Sequence, residues 1–289
     1  MTDPGARARR YGAVFDGIAS DYDRNRPGYP DALVEEACRL ARLGSGDPVL
    51  EIGCGSGQLT AALLARELHV TAVEPGQRLI ALAEQKMPGH PQLAFVNARF
   101  EEAQLPPEHF RAVFSASAMH WVDPDLGWRK AAEVLAPGGL LVLVQYFGLR
   151  EERSAADGDA LLSGMRRIAP ELMAEWPAYR DLEGTLAGAR ARRSNVSELW
   201  AWLGSYDVAR DYPADLFDDA GIAVSSSLLE HSADELTALV ATMSYYAQLS
   251  PGQRDALRRE ILAIEQGLGR PIRSSTVAVL VTARRCDNS

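Results

Sequence analysis

The run at residues 49–58, VLEIGCGSGQ, constrains the fold of this chain more than any other part of the sequence. It joins a short apolar segment of strand length to three alternate glycines, and the residues after the last glycine have helical composition and spacing. Glycines let a backbone turn sharply and approach a ligand where a Cβ atom would clash. A strand, a glycine turn and a helix in this order predict a loop that binds a nucleotide-like cofactor.

Two details separate this loop from other nucleotide-binding loops. A dinucleotide-binding dehydrogenase has its third glycine where this chain has Gln58, and it needs no acid before the first glycine. A phosphate-binding P-loop requires Gly-Lys-Ser/Thr, and no lysine lies near. Glu51 would repel phosphate, whereas a carboxylate suits a cationic ligand with an ammonium group and a sulfonium nearby.

At these residues the chain resembles the class I S-adenosylmethionine-dependent methyltransferases, whose first motif is E/D-x-G-x-G-x-G. The resemblance implies S-adenosylmethionine as cofactor, S-adenosylhomocysteine as product, and a cofactor site that includes Glu51, Gly53, Cys54, Gly55, Gly57 and Gln58. Cys54 is expected to pack under the cofactor, and a nucleophilic role is the alternative. Glu74 ends the next β-branched run, where it either accepts hydrogen bonds from the ribose hydroxyls or is a solvated carboxylate at a strand end.

Strand-like runs recur along the chain and alternate with helical segments in its first half. They lie at residues 48–52, 69–73, 93–96, 111–115, 140–144, 222–229 and 276–282. The implied fold is a seven-stranded, doubly wound, mostly parallel α/β sheet, Rossmann-like, with an N-terminal lid helix and helical cap insertions. The expected organisation is a lid at 1–46, a cofactor-binding core at 47–148, a helical substrate cap at 149–215, and the remaining core strands with a helical insertion at 216–289.

Further cofactor contacts are implied by the places where this family holds the adenine. The segment Arg99-Phe100-Glu101 follows the third strand, and the backbone N–H of Phe100 is expected to read the ring edge. Glu101 either accepts a hydrogen bond from the adenine amino group or caps the turn that follows. Pro75 and Ser115 complete the predicted cofactor-binding set.

The N-terminal segment carries a second resemblance. Phe15, Ile18 and Tyr22 have the spacing of an amphipathic helix, and the sequence YDRNRPGYP at 22–30 is similar to the trans-aconitate methyltransferase-like branch of the family. In that branch the region forms part of a lid, so Tyr22 and Arg26 are expected at the cofactor. Arg26 either pairs with the carboxylate of the methionine moiety or holds the lid by a surface ion pair.

The loop after the fourth strand, ASAMHWVDP at 116–124, lies where open α/β sheets bind ligands and is expected to face the active site. His120 either acts as a general base on the methyl acceptor or packs with Trp121 over the methionine arm. Within the helical segment, Leu199, Trp202 and Leu203 share one helical face that is expected to be core, whereas Trp200 falls on another. The predicted substrate-binding residues are Trp121, Tyr146, Trp176, Trp200 and Tyr245.

The composition of the chain disfavours several classes of binding partner. The net charge of -9 disfavours nucleic acid, and neither a leader nor a stretch long enough to span a bilayer is seen, so we expect a cytoplasmic protein without a membrane partner. Three cysteines and five histidines show no metal-ligand spacing, so no metal is expected. The sequence predicts a monomeric or homodimeric methyltransferase acting on a small molecule, such as a carboxylate or a natural-product intermediate. The alternatives are cyclisation or rearrangement chemistry with the same cofactor, or a binding module without turnover.

Overall fold

The apolar runs of the sequence assemble into a seven-stranded β-sheet. The structure is a computed structural model that describes residues 15–26, 28–173, 181–204 and 213–286. The strands are β1 (Pro48–Ile52), β2 (His69–Val73), β3 (Leu93–Val96), β4 (Phe110–Ala116), β5 (Leu135–Leu149), β6 (Gly221–His231) and β7 (Ile272–Arg284). Their order is β3-β2-β1-β4-β5-β7-β6, with β7 antiparallel to both of its neighbours and the other pairs parallel. The predicted fold is confirmed.

Helices connect the strands and cover the sheet. They are α1 (Ala19–Asn25), α2 (Asp31–Ala41), α3 (Gln58–Leu64), α4 (Gln77–Lys86), α5 (Pro124–Val134), α6 (Glu152–Ile168), α7 (Pro170–Met173), α8 (Leu182–Arg190), α9 (Val196–Gly204), α10 (Ala233–Ala241) and α11 (Pro251–Leu268). Short 3₁₀ turns lie at Met119–Trp121 and Tyr246–Gln248. Within the described residues, no helix combines the length and the apolar character needed to cross a membrane.

The bounds of the first three strands agree with the sequence prediction, but β5, β6 and β7 extend beyond their predicted ends. Strand β7 pairs with β5 from Leu140 to Leu149 and with β6 over that strand's full length. The extensions therefore depend on backbone pairing between distant segments. An apolar run in the sequence marks only the buried centre of such a strand.

Helix ends were predicted with mixed success. The sequence Ser-Pro-Gly-Gln at 250–253 predicts a capping box that opens a helix through Leu268, and both the box and that helix end are present. The sequence also predicts a continuous helix over 233–249, which is wrong because α10 ends at Ala241. There the Thr242 hydroxyl donates to the carbonyl of Leu239, and the Thr242 carbonyl accepts from Arg26, so the chain leaves the helix with its polar groups satisfied.

The two faces of the sheet are covered by different helices. On one face, apolar residues of α2 and α3, including Val34 and Leu63, share a buried cluster with Val142 of β5. On the other face, Trp128 of α5 shares a cluster with residues of α8, α9 and β7. Helices α8 and α9 therefore belong to the main core, although the sequence places them in a substrate cap.

Trp200 corrects the face that the sequence assigned to α9. Trp200 is only 2% exposed and is buried with Leu199 and Leu203, whereas Trp202 is partly buried and lies against the guanidinium group of Arg192. The prediction that Trp200 stands apart from the core is wrong. Because α8 packs beside α9, a wider arc of the helix is covered than its own apolar stripe suggests.

A third apolar cluster lies at the end of the sheet where the parallel strands finish. It joins Met165 of α6, Leu236 of α10 and Ile261 of α11 to Ile272, the first residue of β7. Ser275 of β7 pairs with Leu149 at the carboxyl end of β5, so Ile272 lies beyond that end. We call α6, α10 and α11 the cap helices, because ligands of open α/β sheets bind at this end of the strands.

Candidate active site

The glycines after β1 adopt conformations that other residues rarely reach. Gly53, Gly55 and Gly57 have φ angles of 69°, 55° and 88°, in the left-handed region. A Cβ atom on Gly53 would lie 2.4 Å from the Cβ atom of Ala118, in the loop after β4. We call residues 53–57 the glycine loop. Its glycines are required both by the backbone and by the close approach of the neighbouring loop.

Glu74, at the end of β2, holds the glycine loop. Its Oε2 atom accepts a hydrogen bond from the backbone N–H of Gly55 at 3.0 Å, and Oε1 accepts from that of Gly76 at 2.8 Å. Burial raises the pKa of Glu74, and these two bonds act in the opposite direction. No lysine or arginine among the described residues pairs with this carboxylate. Each oxygen has a further lone pair for a donor such as a ribose hydroxyl.

Glu51 is the second buried acid, and it is only 1% exposed. The hydroxyl of Thr60 donates to its Oε2 atom at 2.6 Å. Burial raises the pKa of Glu51 to about 7, against the hydrogen bond from Thr60, and the nearby charge of Glu74 raises it further. A buried acid without a cation in the described chain is a favourable neighbour for a cationic ligand group.

Two further polar atoms, one in the glycine loop and one directly after it, are buried with no hydrogen-bond partner among the described residues. They are the hydroxyl oxygen of Ser56 and the side-chain nitrogen of Gln58. Buried polar atoms are normally satisfied, so these atoms fit a polar ligand in the loop. Together with Glu51 and Glu74, they form a donor and acceptor set that fits the ammonium, carboxylate and ribose groups of S-adenosylmethionine.

Cys54 lies inside the glycine loop but is not set up as a nucleophile. The residue is buried, and burial raises the pKa of its thiol well above the ordinary value, with the charges of Glu51 and Glu74 adding to the effect. A thiol of this kind is protonated and inert. The packing role is the one that the environment favours.

The lid helix α1 lies directly against the glycine loop. The Tyr22 ring is 3.7 Å from the position of a Cβ atom on Gly55, and Phe15 contacts the rings of Tyr22 and Trp121 with centroid distances of 5.6 and 5.7 Å. Asp16 Oδ1 accepts from the backbone N–H of Arg78, at the start of α4, at 2.6 Å. These contacts hold aromatic rings over the predicted cofactor site.

An ion pair closes the other side of the lid. Lys86, at the end of α4, pairs with Asp23 of the lid helix and also donates to the backbone carbonyl of Ser56 at 3.0 Å. One ammonium group therefore joins the lid, α4 and the glycine loop.

Arg26 links the lid to the cap helices. Its guanidinium group donates to the carbonyl of Thr242, just after α10, at 3.0 Å and lies 5.2 Å from the ring centroid of Tyr22. Among the described residues, Arg26 forms no ion pair, and its buried Nε atom has no hydrogen-bond partner. The surface ion pair and the pairing with the methionine carboxylate both stay predictions.

The residues expected around the adenine mostly serve the scaffold. Glu101 Oε1 accepts from the backbone N–H of Asp123 at 2.6 Å and from Arg99 at 3.1 Å, so it binds the loop after β4 and not the turn that follows it in sequence. Its contact with the adenine amino group stays a prediction. The side chain of Phe100 is buried in the core, and the role of its backbone N–H stays a prediction. Pro75 is exposed, and its carbonyl accepts from Asn97 at 3.0 Å.

Ser115 is buried near the end of β4. Its hydroxyl is 3.4 Å from the carbonyl oxygen of Ile52, so it ties β4 to β1. Its contact with the cofactor stays a prediction. A polar residue near a strand end does not disclose from the sequence whether it points up to the rim or across to the next strand.

Three residues predicted to serve the acceptor, His120, Trp121 and Tyr146, lie at the ends of β4 and β5. His120 and Trp121 lie in the 3₁₀ turn after β4, with their ring centroids 4.6 Å apart. The ring of Tyr146 stacks on Tyr29 at 5.8 Å, and its hydroxyl donates to the carbonyl of Gly28 at 2.6 Å. Trp121 and Tyr146 thus lie at the predicted rim, while Trp200 does not.

Ser117 lies in the predicted loop after β4, although the sequence prediction gave it no role in the site. It has a φ of 54°, and its backbone N–H donates to the carbonyl of Val144 at 2.8 Å, which ties the loop to β5. Its position directly after the apolar run of β4 was the available signal. Two predicted substrate residues are not at this rim in the described structure. Tyr245 packs against the cap helices, and Trp176 is outside the described residues.

Comparison with known proteins agrees with this geometry. A family described as methyltransferase domain matches residues 50–143. Over 143 residues the chain is 36% identical to an uncharacterized methyltransferase of Mycobacterium tuberculosis, covering 48% of this chain and 54% of that protein. It is 32% identical over 144 residues to an uncharacterized methyltransferase of Bacillus licheniformis, covering 48% of this chain and 67% of that protein. The chain belongs to the class I S-adenosylmethionine-dependent methyltransferases.

A solved structure extends the likeness to the fold of the whole methyltransferase. A putative type II methyltransferase from Anaeromyxobacter dehalogenans matches with a TM-score of 0.57 and 22% identity, over 90% of this chain and 97% of that one. In sequence, the match spans about half the length of the mycobacterial relative. The trans-aconitate-like branch is not named by these proteins and stays a prediction. Among the described residues of the methyltransferase, no group of three or more His, Cys, Asp or Glu could hold a metal ion.

The close approach of Gly53 to Ala118 predicts that a larger residue at position 53 destabilises the protein. Gly53→Ala puts a methyl group against the Ala118 Cβ atom at 2.4 Å, so we expect the free energy of unfolding in urea to fall by about 1–3 kcal/mol. Adding Ala118→Gly removes the contact but not the left-handed backbone. Relative to Ala118→Gly alone, the double variant should then lose only about 1 kcal/mol. Equal losses in the two backgrounds would contradict the steric explanation.

The burial of Glu51 predicts a pH-dependent affinity for S-adenosylmethionine. With a pKa of about 7, Glu51 holds a proton below that pH, and the ammonium group of the cofactor favours the ionised form. The dissociation constant, measured by calorimetry between about pH 5.5 and 7.5, should rise up to tenfold for each unit below 7. In Glu51→Gln the affinity should be weaker at pH 7.5 and nearly flat over this range. An unchanged slope in that variant would exclude Glu51 as the titrating group.

Proposed function

We propose that the protein transfers the methyl group of S-adenosylmethionine to a nucleophilic atom of a small-molecule acceptor. The observation that carries the proposal is the pair of buried carboxylates, Glu51 and Glu74, beside the glycine loop. Neither has a cationic partner in the described chain. Family membership supports the cofactor, and the geometry of the loop supports its place.

Each polar residue beside the glycine loop would bind a different group of the cofactor. Glu74 would accept from the ribose hydroxyls, because a carboxylate can take two donors at once. Glu51 would face the ammonium group, and the side-chain nitrogen of Gln58 is a free donor in the loop. When bound, S-adenosylmethionine supplies a methyl group that its sulfonium activates toward nucleophiles.

The protein itself contributes position and the exclusion of water. Phe15, Tyr22 and Trp121 form a row of aromatic contacts above the glycine loop, and α1 is held there from both ends. Holding two reactants in line removes much of the entropic part of the barrier. A base is needed only where the acceptor atom must lose a proton.

The acceptor would bind between the His120 turn, the carboxyl end of β5 and the cap helices. The half-buried rings of Trp121 and Tyr146 border this region, which suits an apolar or aromatic body. Arg26 adds a buried N–H donor near the cap, which suits a polar oxygen. A carboxylate or a natural-product intermediate has both parts, and we propose an acceptor of this kind.

Cofactor binding is tested by comparing Glu74→Gln with the wild type in calorimetry with S-adenosylmethionine. We expect the affinity to fall tenfold or more, since a hydrogen bond to a charged group contributes about 1.5–3 kcal/mol. The matched control is Glu84→Gln, an exposed acid on α4, which makes the same change in charge and should bind as the wild type does. Equal affinity in Glu74→Gln and Glu84→Gln would overturn the assigned site.

Methyl transfer is tested with S-adenosylmethionine labelled in its methyl group and a panel of small acceptors. The label should appear in a product together with S-adenosylhomocysteine. Conversion of a candidate substrate while the label stays in the cofactor would instead indicate cyclisation or rearrangement. Tight cofactor binding with no conversion of any kind would point to a binding module.

The role of His120 is separable from cofactor binding. If it is the general base, His120→Ala should lower kcat by about 10²–10⁴-fold and leave the dissociation constant of S-adenosylmethionine nearly unchanged. Single-turnover rates and calorimetry measure the two quantities independently. A parallel loss of affinity would assign His120 to packing over the methionine arm.

A further inference from the structure

One edge of the sheet is long, and the described residues leave its backbone groups unpaired. Strand β6 is the last strand in the sheet order, and it pairs on one side with β7 over its whole length. On its other side, no hydrogen bond from a described residue reaches the backbone of Gly221–His231. Such an edge is a template for another strand.

This edge also lacks the features that usually prevent pairing. Its sequence, GIAVSSSLLEH, has no lysine and no proline, and its register with β7 is continuous without a bulge. The opposite edge of the sheet is different, because β3 has only four residues. Short edge strands are a common protection against pairing. Within the described part of the chain, the β6 edge therefore lacks this protection, whereas the β3 edge has it.

Val224 lies on this edge and is exposed. Its 38% exposure makes it one of three large apolar residues exposed in the described chain, with Leu126 at 56% and Leu262 at 45%. The other two are on the helices α5 and α11. An apolar side chain on an unpaired strand is the kind of residue that a partner strand covers.

We propose that β6 pairs antiparallel with β6 of a second copy of this chain, around a two-fold axis at Ser226. Ser226 is the middle residue of the strand, so this register pairs all eleven residues of each copy. It places Val224 opposite Leu228 on one face and Ala223 opposite Leu229 on the other. Ser225 then faces Ser227, and no two like charges are opposed.

Neighbouring symmetric registers are poorer. With the axis at Ser225, Val224 faces a serine, and with the axis at Ser227 it faces Glu230. The strand is therefore complementary to itself in one register, which favours a second copy over an unrelated peptide. Isologous two-fold contacts of this kind are the commonest in soluble oligomers.

The dimer interface would lie outside the cofactor site but would be connected to the lid. Strand β6 leads directly into α10, and Thr242 after α10 accepts the hydrogen bond from Arg26 of the lid. The proposal does not depend on methyl transfer, and its tests need no substrate.

Sedimentation of the full chain tests the dimer. We expect the wild type to dimerise within the micromolar range, and Val224→Lys to weaken the dimer at least tenfold, because lysine on an edge strand opposes pairing. Leu262→Lys is the matched control, since it makes the same change at an exposed site away from the edge, and it should dimerise as the wild type does. A wild type that stays monomeric, or equal dimerisation in all three proteins, would overturn the proposal.

Crosslinking tests the register. Residues directly opposite each other have Cβ atoms about 4.5–5.5 Å apart, whereas diagonal neighbours are about 7–8 Å apart. Ser226→Cys should therefore form an intermolecular disulfide under mild oxidation, because each copy faces the same residue. Ser227→Cys is equally exposed and keeps the same native cysteines, and it should crosslink poorly. Equal crosslinking of both variants would contradict the axis at Ser226.

Hydrogen exchange separates a second copy from a segment of the same chain. In the dimer, the amides of β6 should become more protected as the protein concentration rises. Protection of these amides in a monomer, independent of concentration, would mean that another part of the chain covers the edge, and it would overturn the proposal.

Discussion

Two carboxylates that are buried with no cation beside them among the described residues are the constraint around which the site is built. An unpaired buried charge is costly, and a chain that keeps Glu51 and Glu74 below the surface must satisfy them in another way. The structure does so with Thr60 and with two backbone N–H groups, which leaves acceptor positions open. The hydrogen bond from Gly55 to Glu74 also fixes the conformation of the glycine loop. The same carboxylate of Glu74 therefore supplies negative charge to the site and holds the backbone of the loop.

A few polar contacts hold the lid in place. Asp16 of the lid accepts a hydrogen bond from the start of α4, and Lys86 at the end of α4 pairs with the lid helix and binds the glycine loop. Arg26 connects the lid to the chain after α10. Entry of a ligand therefore has to displace few bonds, and each of them lies at the surface or ends on a backbone carbonyl. Surface ion pairs contribute little stability, so a lid held in this way can open without unfolding the core.

The sequence predicted what depends on neighbouring residues. The bounds of β1, β2 and β3, the glycine loop and the capping box at Ser250 follow from local patterns, and they are confirmed. The burial of Trp200, the lengths of β5 to β7 and the split of the expected cap depend on segments that meet only in the fold. Ser115 is the clearest case within the site, because its hydroxyl is directed by the approach of Ile52 from another strand.

The same distinction explains why the cofactor can be inferred more sharply than the acceptor. The cofactor site is built mainly from one continuous segment and the end of the next strand, so its chemistry is written in a short motif. The proposed acceptor region draws on the lid, the His120 turn, the end of β5 and the cap helices, each from a different part of the chain. A shared fold hosts many acceptors because such borders vary independently of the loop.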